Sequence, residues 1–185
     1  MFAKTLTSRL ATEDDVPALR ALMTQAIATL QRGFLSEAQI EASHAVMGLD
    51  TQLIADRTYF LVEDHGRIVG CGGWSRRATL YGGDHSTELR DPALLDPTVD
   101  AARVRAMYTH PDCARRGVGR LILGLCETAA AEAGFQSVEL MATLSGEPLY
   151  RACGYREVER ATATSASGVS VPLLRMRKSL GSTAP

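Results

Sequence analysis

A short segment near the middle of the chain combines arginines and glycines in a spacing that favours anion binding. Residues 115–120 read Arg-Arg-Gly-Val-Gly-Arg, between a stretch with strand alternation and a stretch with helix periodicity. The first amides of a helix have no internal partner, and the positive end of the helix dipole lies behind them. Glycines let a phosphate approach the backbone, and arginines add charge and forked donors. The pattern therefore predicts a phosphate or pyrophosphate site at residues 115–120.

Two elements must position this segment. Alternation before it predicts a strand, because successive side chains of a strand point to opposite faces. One predicted face carries Val104, Ala106 and Tyr108, and the other carries Arg103, Arg105 and Met107. Pro111 ends the strand because it has no amide to donate. Helix periodicity after the segment predicts one apolar stripe, formed by Val118, Leu121, Ile122, Leu125 and Ala129.

Two common nucleotide-binding motifs do not fit the segment. A P-loop requires a Lys directly after its second glycine, and Arg120 follows Gly119 instead. A dinucleotide fingerprint requires a third glycine three residues after Gly119, where the chain has Ile122. A nucleotide-phosphate module of another class is therefore the weaker alternative.

The segment resembles the acyl-CoA signature of the GNAT superfamily of N-acetyltransferases, which reads Arg/Gln-x-x-Gly-x-Gly/Ala. The chain has Ala114 at the first position and Gly117 and Gly119 at the glycine positions. Ala114 removes one side-chain contact and leaves the backbone amides in place. A second segment, residues 141–155, is similar to the strand, short helix and Phe/Leu-Tyr-x-x-x-Gly-Phe/Tyr ending that follow the CoA helix in that family. The resemblance covers nearly the whole chain.

The resemblance implies an α+β fold of three layers (αβα), in which helices flank a mixed, mostly antiparallel sheet with splayed central strands. We expect a single domain over residues 1–180 and a loose C-terminal tail over residues 181–185. The implied reaction is direct transfer of the acetyl group of acetyl-CoA, a co-substrate, to the amine of a small molecule or a protein. The alternative is a non-catalytic regulatory domain of the same fold that binds acyl-CoA.

The resemblance also implies roles for individual residues. Tyr150 matches the family tyrosine that protonates the departing thiolate, and the ordinary pKa values of a phenol (about 10) and a thiol (about 8.5) suit this transfer. The amide of Met107 would stabilise the oxyanion, and Ser145 falls where many members carry an Asn that contacts the cofactor. The residues expected to bind the cofactor are Met107, Tyr108, Thr109, Arg115, Arg116, Gly117, Val118, Gly119, Arg120 and Ser145.

The general base is open at this stage. Tyr108, His110, Glu139 and the acids of residues 76–100 are candidates, and a water-mediated route is equally compatible with the sequence. Those acids could attract a cationic amine, although a solvated mobile insertion is the preferred interpretation of residues 76–100.

Composition limits the partners and the compartment. The chain has 185 residues, 45% hydrophobic, with a formal net charge of -1, which predicts one globular domain and argues against a general nucleic-acid binder. We see neither a membrane-spanning stretch nor a signal peptide, so we expect a cytoplasmic protein without a membrane partner. The four cysteines match neither a zinc pair nor a redox pair, so free thiols and no metal are expected.

The remaining elements follow from periodicity and turn residues. We predict a strand over 5–11, helices over 12–30 and 36–47, a hairpin of 58–63 with 68–75, a strand over 137–142 and a short helix capped by Ser145. A last hairpin joins 155–162 to 169–178, where Pro172 indicates an edge or bulged strand. Gly70, Gly72 and Gly73 indicate a bulge or a close backbone approach. The exposed last strand and the apolar helix stripes would permit a homodimer.

Overall fold

The computed structural model describes residues 6–181 and contains one seven-stranded sheet with helices on both faces. The helices are α1 (Val16–Leu30), α2 (Glu37–Val46), α3 (Gln52–Ala55), α4 (Val118–Glu132) and α5 (Glu147–Ala152). The strands are β1 (Leu6–Leu10), β2 (Tyr59–Asp64), β3 (Arg67–Ser75), β4 (Ala102–Thr109), β5 (Ser137–Thr143), β6 (Arg156–Thr164) and β7 (Ser170–Ser179). Short 3-10 turns lie at Glu13–Asp15, Thr87–Leu89 and Pro111–Cys113.

The strands are arranged in the order β1-β2-β3-β4-β5-β7-β6. All neighbours are antiparallel except β4 and β5, which are parallel. Helix α4 covers an apolar cluster on one face of the sheet, and α1 covers a second cluster on the other face. The mixed, mostly antiparallel sheet flanked by helices is therefore confirmed. Within residues 6–181, no helix combines the length and the apolar character that a bilayer crossing requires.

Some predictions extend past the described residues. The first predicted strand begins at Thr5, which lies outside them, and β1 occupies Leu6–Leu10. Residues 1–5 of the expected domain and residues 182–185 of the expected tail also lie outside the described part of the chain.

The two central strands separate along their length. Only two residue pairs join β4 to β5, Ala102 with Val138 and Arg103 with Glu139. At this closed end the Glu139 carboxylate is 3% exposed and accepts hydrogen bonds from Arg103 and Arg175. A buried carboxylate requires such partners because desolvation is unfavourable. The ion cluster therefore ties the strands together at one end and leaves a gap at the other.

A bulge in β4 changes the side-chain pattern that alternation predicts. Gly72 of β3 lies opposite both Ala106 and Met107, and Ala106 has a left-handed φ of 50°. The prediction that Val104, Ala106 and Tyr108 share one face is wrong. Val104 packs in the cluster under α4, whereas Tyr108 packs in the cluster under α1. The extra residue of the bulge reverses the alternation from that point on.

Glycines in β3 allow α4 to approach the sheet closely. A Cβ atom on Gly72 would lie 2.6 Å from Cγ2 of Ile122 and 2.7 Å from Cγ of Met107. Gly70 meets the side chain of Val118 in the same way. The predicted bulge and the predicted close approach are therefore both present at these glycines, and the approach brings the N-terminus of α4 beside the gap.

The strand that contains Pro172 was expected at the edge of the sheet, but it lies inside it. Pro172 lies in β7, which is an interior strand between β5 and β6, so the prediction of an edge position is wrong. Strand β5 ends at Thr143, opposite Leu173, so Pro172 pairs only with Thr162 of β6. The missing amide therefore removes no bond to β5. The two edge strands of the sheet are β1 and β6.

Residues 76–100 fold back on themselves and on the body of the protein. Backbone amides donate from Ala78 to Ala93 at 2.9 Å and from Leu95 to Arg76 at 2.8 Å. Arg77 anchors the segment through its guanidinium, which lies 2.7 Å from a carboxylate oxygen of Asp56. The segment is therefore a hydrogen-bonded loop packed beside the sheet, and most side chains of residues 87–99 are exposed, as expected of a solvated insertion.

Packing at Gly72 gives a stability prediction. We expect Gly72→Ala to lower the free energy of unfolding by about 1–3 kcal/mol, because its Cβ would push Ile122 and Met107 out of place. The matched control is Gly124→Ala, at an exposed position of α4 with nothing within 4 Å of a new Cβ. It should gain about 0.5–1 kcal/mol from helix propensity. Urea unfolding measures both, and equal stability of the two variants would contradict the packing argument.

Candidate active site

The gap between β4 and β5 opens into a cleft of about 630 Å³. Its walls come from the end of β4, the turn before α4, the end of β5 and α5, and α1 covers it from one side. Nine of the sequence-predicted cofactor residues border it: Met107, Tyr108, Thr109, Arg115, Gly117, Val118, Gly119, Arg120 and Ser145. Residues at the ends of β4 and β5 and residues of the turn before α4 thus border one cavity.

The turn before α4 presents free backbone donors to this cleft. Arg115 and Gly117 have positive φ values of 63° and 88°, which turns the chain sharply into the helix. The first hydrogen bond of the helix runs from Leu121 to the Gly117 carbonyl at 3.0 Å. The amides of residues 115–120 have no acceptor within residues 6–181. Six successive free donors at a helix N-terminus favour an anionic ligand.

The three arginines of the turn are not equivalent. The exposed side chains of Arg115 and Arg120 border the cleft. The side chain of Arg116 turns away, and its guanidinium lies 3.3 Å from a carboxylate oxygen of Asp64 and 3.3 Å from Sγ of Cys113. Arg116 therefore contributes its backbone, and not its side chain, to the turn.

A smaller inner cavity of about 90 Å³ lies on the other side of the gap. Residues of the loops before α3 and after β3 form its outer wall, and β4, β5 and β7 form its base. It shares five lining residues with the cleft, namely Met47, Met107, Tyr108, Thr143 and Tyr150. The two cavities therefore meet at the β4 bulge, opposite the ring of Tyr150, where two molecules could approach each other from opposite sides.

Tyr150 is a buried phenol that borders both cavities. Its side chain is 9% exposed, and its ring packs edge-on against Tyr155 at 5.8 Å between ring centres. Burial raises the pKa of the phenol above its ordinary value of 10.0, so the hydroxyl keeps its proton at neutral pH. Its hydroxyl forms no hydrogen bond with another group of residues 6–181. The proton is therefore available to a ligand at the junction.

Tyr108 also borders both cavities, and burial raises the pKa of its phenol as well. A phenol that stays protonated at neutral pH cannot accept a proton from an ammonium group. Tyr108 therefore lies at the junction, but its protonated phenol cannot serve as the general base.

The other predicted bases lie away from the junction. Glu139 is held by Arg103, Arg175 and Arg177 at the closed end of the gap. Nε2 of His110 lies 2.6 Å from Nη2 of Arg67, and neither residue borders the cleft or the inner cavity. No Asp or Glu within residues 6–181 lines the cleft or the inner cavity, including the acids of the paired loop.

A buried tyrosine on β2 supports the bulge. The hydroxyl of Tyr59, which is 0% exposed, donates to the carbonyl of Ala106 at 2.6 Å. This bond compensates for the strained φ of Ala106 and holds Met107 at the junction. Sequence reasoning did not identify Tyr59, because its only signal is an apolar strand pattern.

Ser145 borders the cleft but does not cap α5. Gly146 is the N-cap residue, and the prediction that Ser145 caps the helix is wrong. The hydroxyl of Ser145 lies 3.1 Å from Oγ1 of Thr143, which in turn accepts the amide of Gly146 at 3.2 Å. The start of α5 therefore has no side-chain cap, and Ser145 borders the cleft.

One wall of the cleft is formed by residues that no sequence motif identifies individually. The C-terminal half of α1 and the following turn contribute Ala26, Ile27, Leu30, Gln31 and Phe34. Helix periodicity predicts a core stripe for α1 and cannot show that its end passes over a cavity. The half-exposed ring of Phe34 is the one signal, because a large apolar side chain at a turn is unusual.

Within residues 6–181 no three His, Cys, Asp or Glu side chains lie together in the manner of metal ligands. Asp84 accepts hydrogen bonds from the amide of Thr51 and from Arg90, and His85 pairs with the carbonyl of Ala45. These two residues therefore serve the packing of the loop.

Comparison with solved structures shows the same fold in several enzymes. A GCN5-related N-acetyltransferase from Rhodopseudomonas palustris is 21% identical, with a TM-score of 0.71 over 97% of this chain and 99% of that one. A ribosomal-protein-alanine N-acetyltransferase from Brucella melitensis is 19% identical, with a TM-score of 0.61 over 94% and 99%. A PaiA N-acetyltransferase from Thermoplasma acidophilum, solved in complex with coenzyme A, is 11% identical, with a TM-score of 0.62 over 95% and 99%.

Sequence comparison assigns the family. No curated protein matches the chain. The family model for the acetyltransferase (GNAT) domain matches residues 55–157, more than half of the chain, and this range contains β4, the glycine turn, α4 and Tyr150. The chain therefore belongs to the GNAT family of acetyltransferases.

Proposed function

We propose that this acetyltransferase binds acetyl-CoA in the cleft and transfers its acetyl group to the amine of a second molecule in the inner cavity. The observation that carries the proposal is the junction of the two cavities at Met107, Tyr108 and Tyr150. A non-catalytic acyl-CoA-binding domain would have no need of a second cavity or of a phenol with a free proton beside it. The alternative is therefore not favoured.

The free amides and the exposed arginines suit the charge of a pyrophosphate. The amides of residues 115–120 would donate to its oxygens, and Arg115 and Arg120 would add charge. Arg116 would contribute only its amide, since its side chain pairs with Asp64. Val118 and Gly119 bring the helix N-terminus to the cleft.

Residues further along the cleft suit the rest of the co-substrate. The side of β4 that faces β5 has no strand partner beyond Arg103, so Met107 and Thr109 could bond an extended arm with their backbone groups. Ser145 lies on the opposite wall, where its hydroxyl could add one further contact.

Acetyl-CoA supplies an activated thioester carbonyl, so that a C–N bond forms to the amine as the C–S bond breaks. The amide of Met107 stabilises the negative charge that develops on the carbonyl oxygen. Tyr150 donates its proton to the departing sulfur. The amine loses its proton to water, because the acids lie elsewhere and Tyr108 is itself protonated.

We also propose that the enzyme is a single domain, resides in the cytoplasm and can form a homodimer. One continuous sheet from β1 to β7 supports a single domain over residues 1–180. All four cysteines are free thiols, which suits a reducing cytoplasm. The unpaired edge of β6 offers a surface on which a homodimer could form.

Replacement of the proton donor tests the proposal. We expect Tyr150→Phe to lower kcat by about 10²–10⁴-fold, the usual contribution of a general acid, while the affinity for acetyl-CoA stays unchanged. Mass spectrometry of acetylated products measures turnover with polyamines, aminoglycosides, amino acids and peptides as acceptors. Tyr155→Phe, which keeps the packed ring and removes a hydroxyl that does not border the cleft, is the matched control.

Unchanged turnover of Tyr150→Phe would exclude its role as the acid. Acetyl-CoA binding without any product would favour the non-catalytic alternative. Absence of binding would contradict the assignment of residues 115–120.

The support of the bulge by Tyr59 gives a second activity prediction. Tyr59→Phe should lower stability by about 1–3 kcal/mol, because the Ala106 carbonyl loses its donor. We expect kcat to fall about tenfold or more as Met107 shifts, with little change in the KM for acetyl-CoA. Adding Ala106→Gly, which removes the cost of the left-handed φ, should restore part of kcat. If Ala106→Gly does not improve kcat, the effect of Tyr59 on activity does not act through the bulge.

The raised phenol pKa values predict the pH dependence. As pH rises, the rate should follow the fraction of unprotonated acceptor amine. Tyr150 remains protonated above pH 10 because burial raises its pKa, so the rate should not fall again below that pH. Measurement of kcat/KM for the acceptor from pH 6 to pH 10 checks this shape. A descending limb between pH 8 and pH 9.5 would show an acid with an ordinary or lowered pKa.

A further inference from the structure

The size of the inner cavity limits the acceptor. Its volume is about 90 Å³, against about 630 Å³ for the cleft. An apolar cavity of roughly 150 Å³ accommodates a benzene ring. In proportion, the inner cavity has room for a chain of about three to five carbon atoms. The linked rings of an aminoglycoside exceed that space.

The inner cavity is an opening into an apolar cluster of the core. This cluster lies between α2 and the strands β6 and β7. Five residues of the cluster or packed against it line the cavity: Val46, Met47, Tyr81, Met141 and Leu173. A hydrocarbon group that contacts these side chains leaves water. Each methylene buried in this way strengthens binding about three- to fourfold.

The inner cavity offers no partner to a second charged group. Within residues 6–181, neither an Asp nor a Glu lines it. Its one ionised side chain is Arg105, whose guanidinium is already bonded to Asp50 at 2.7 Å and to the carbonyl of Gly82 at 2.6 Å. The other polar side chains that line it carry uncharged hydroxyls, namely Tyr81, Tyr108, Thr143 and Tyr150. An additional ammonium or carboxylate would lose hydration here without gaining an ion partner.

The same surroundings favour the reactive form of an amine. Burial in a poorly solvated site disfavours the charged ammonium relative to the neutral amine, and therefore lowers the pKa of the amine. A bound acceptor thus gives its proton to water more readily than it does in solution. This effect suits a site in which no acid of residues 6–181 lines either cavity and Tyr108 keeps its proton.

We infer that the acceptor is a small aliphatic monoamine, whose amine is carried by a chain of about three to five carbon atoms without a second charged group. The inference rests on the proposed function of the site. The nitrogen lies at the junction beside Tyr150, and the chain packs against the apolar wall that includes Leu173. Leu173 is then a specificity-determining residue, because its side chain limits the length of the acceptor.

The first test uses the wild-type protein and a series of straight-chain primary amines from ethylamine to octylamine. These amines have nearly the same pKa, so differences in kcat/KM report contacts of the chain. We expect kcat/KM to rise about three- to fourfold for each added methylene up to butylamine or pentylamine. It should then fall, because longer chains exceed the cavity.

The second test compares butylamine with charged analogues of similar length. Putrescine adds a second ammonium, and γ-aminobutyric acid adds a carboxylate. Spermidine and a peptide that begins with alanine complete the panel, and rates are expressed per unprotonated amine group. We expect kcat/KM for butylamine to exceed that of each charged analogue at least about tenfold, because the second charge finds no partner.

The third test enlarges the cavity at a residue that does not border the cleft. Leu173→Ala should make the preferred chain about two to three carbons longer and leave the KM for acetyl-CoA unchanged. Leu174→Ala is the matched control, because the same change at the next residue of β7 falls in the cluster under α4, away from both cavities. It should leave the preferred length as in the wild type. The wild-type measurements decide the inference if Leu173→Ala does not fold.

Two outcomes with the wild-type protein would overturn the inference. One is a kcat/KM for putrescine or spermidine that equals or exceeds that of butylamine, and the other is acetylation of the peptide but of none of the alkylamines. Both leave acetyl transfer intact, whereas absence of every product despite bound acetyl-CoA would contradict the proposed function itself. A folded Leu173→Ala variant with an unchanged preferred length would also overturn the inference.

Discussion

The separation of β4 from β5 is the constraint on which the site depends. Backbone polar groups inside a sheet require partners, and after two residue pairs these two strands no longer provide them for each other. Glu139 and its arginines keep the strands joined at one end. The open end is therefore a cavity whose wall is unpaired backbone, and this wall can accept an extended ligand as a substitute for a strand.

Two further features direct chemistry to the open end. The bulge at Ala106 turns Met107 toward the junction, and Tyr59 compensates for the strain of that turn from the opposite side of the strand. Gly72 lets α4 lie close against the sheet, which brings the free amides of its N-terminus to the same cavity.

Sequence reasoning succeeded where the signal was local. The glycine turn, the start of α4, the position of Tyr150 and the family followed from residues close together in the chain. Reasoning was wrong where a distant strand decides the outcome. The faces of β4 reverse because of a bulge against β3, and Pro172 is interior because β7 lies between β5 and β6.

Local sequence signals were enough to predict the fold class, the family and the free amides of residues 115–120, because helix starts, turns and strand alternation depend on neighbours within a few positions. Which ionisable groups reach the junction depends instead on tertiary contacts. Glu139, His110 and Arg116 find partners far away in the chain, whereas Tyr150 borders both cavities with a hydroxyl that has no partner within residues 6–181. The selection of ion-pair partners is a non-local property, and the same composition could have been arranged with any of these groups free.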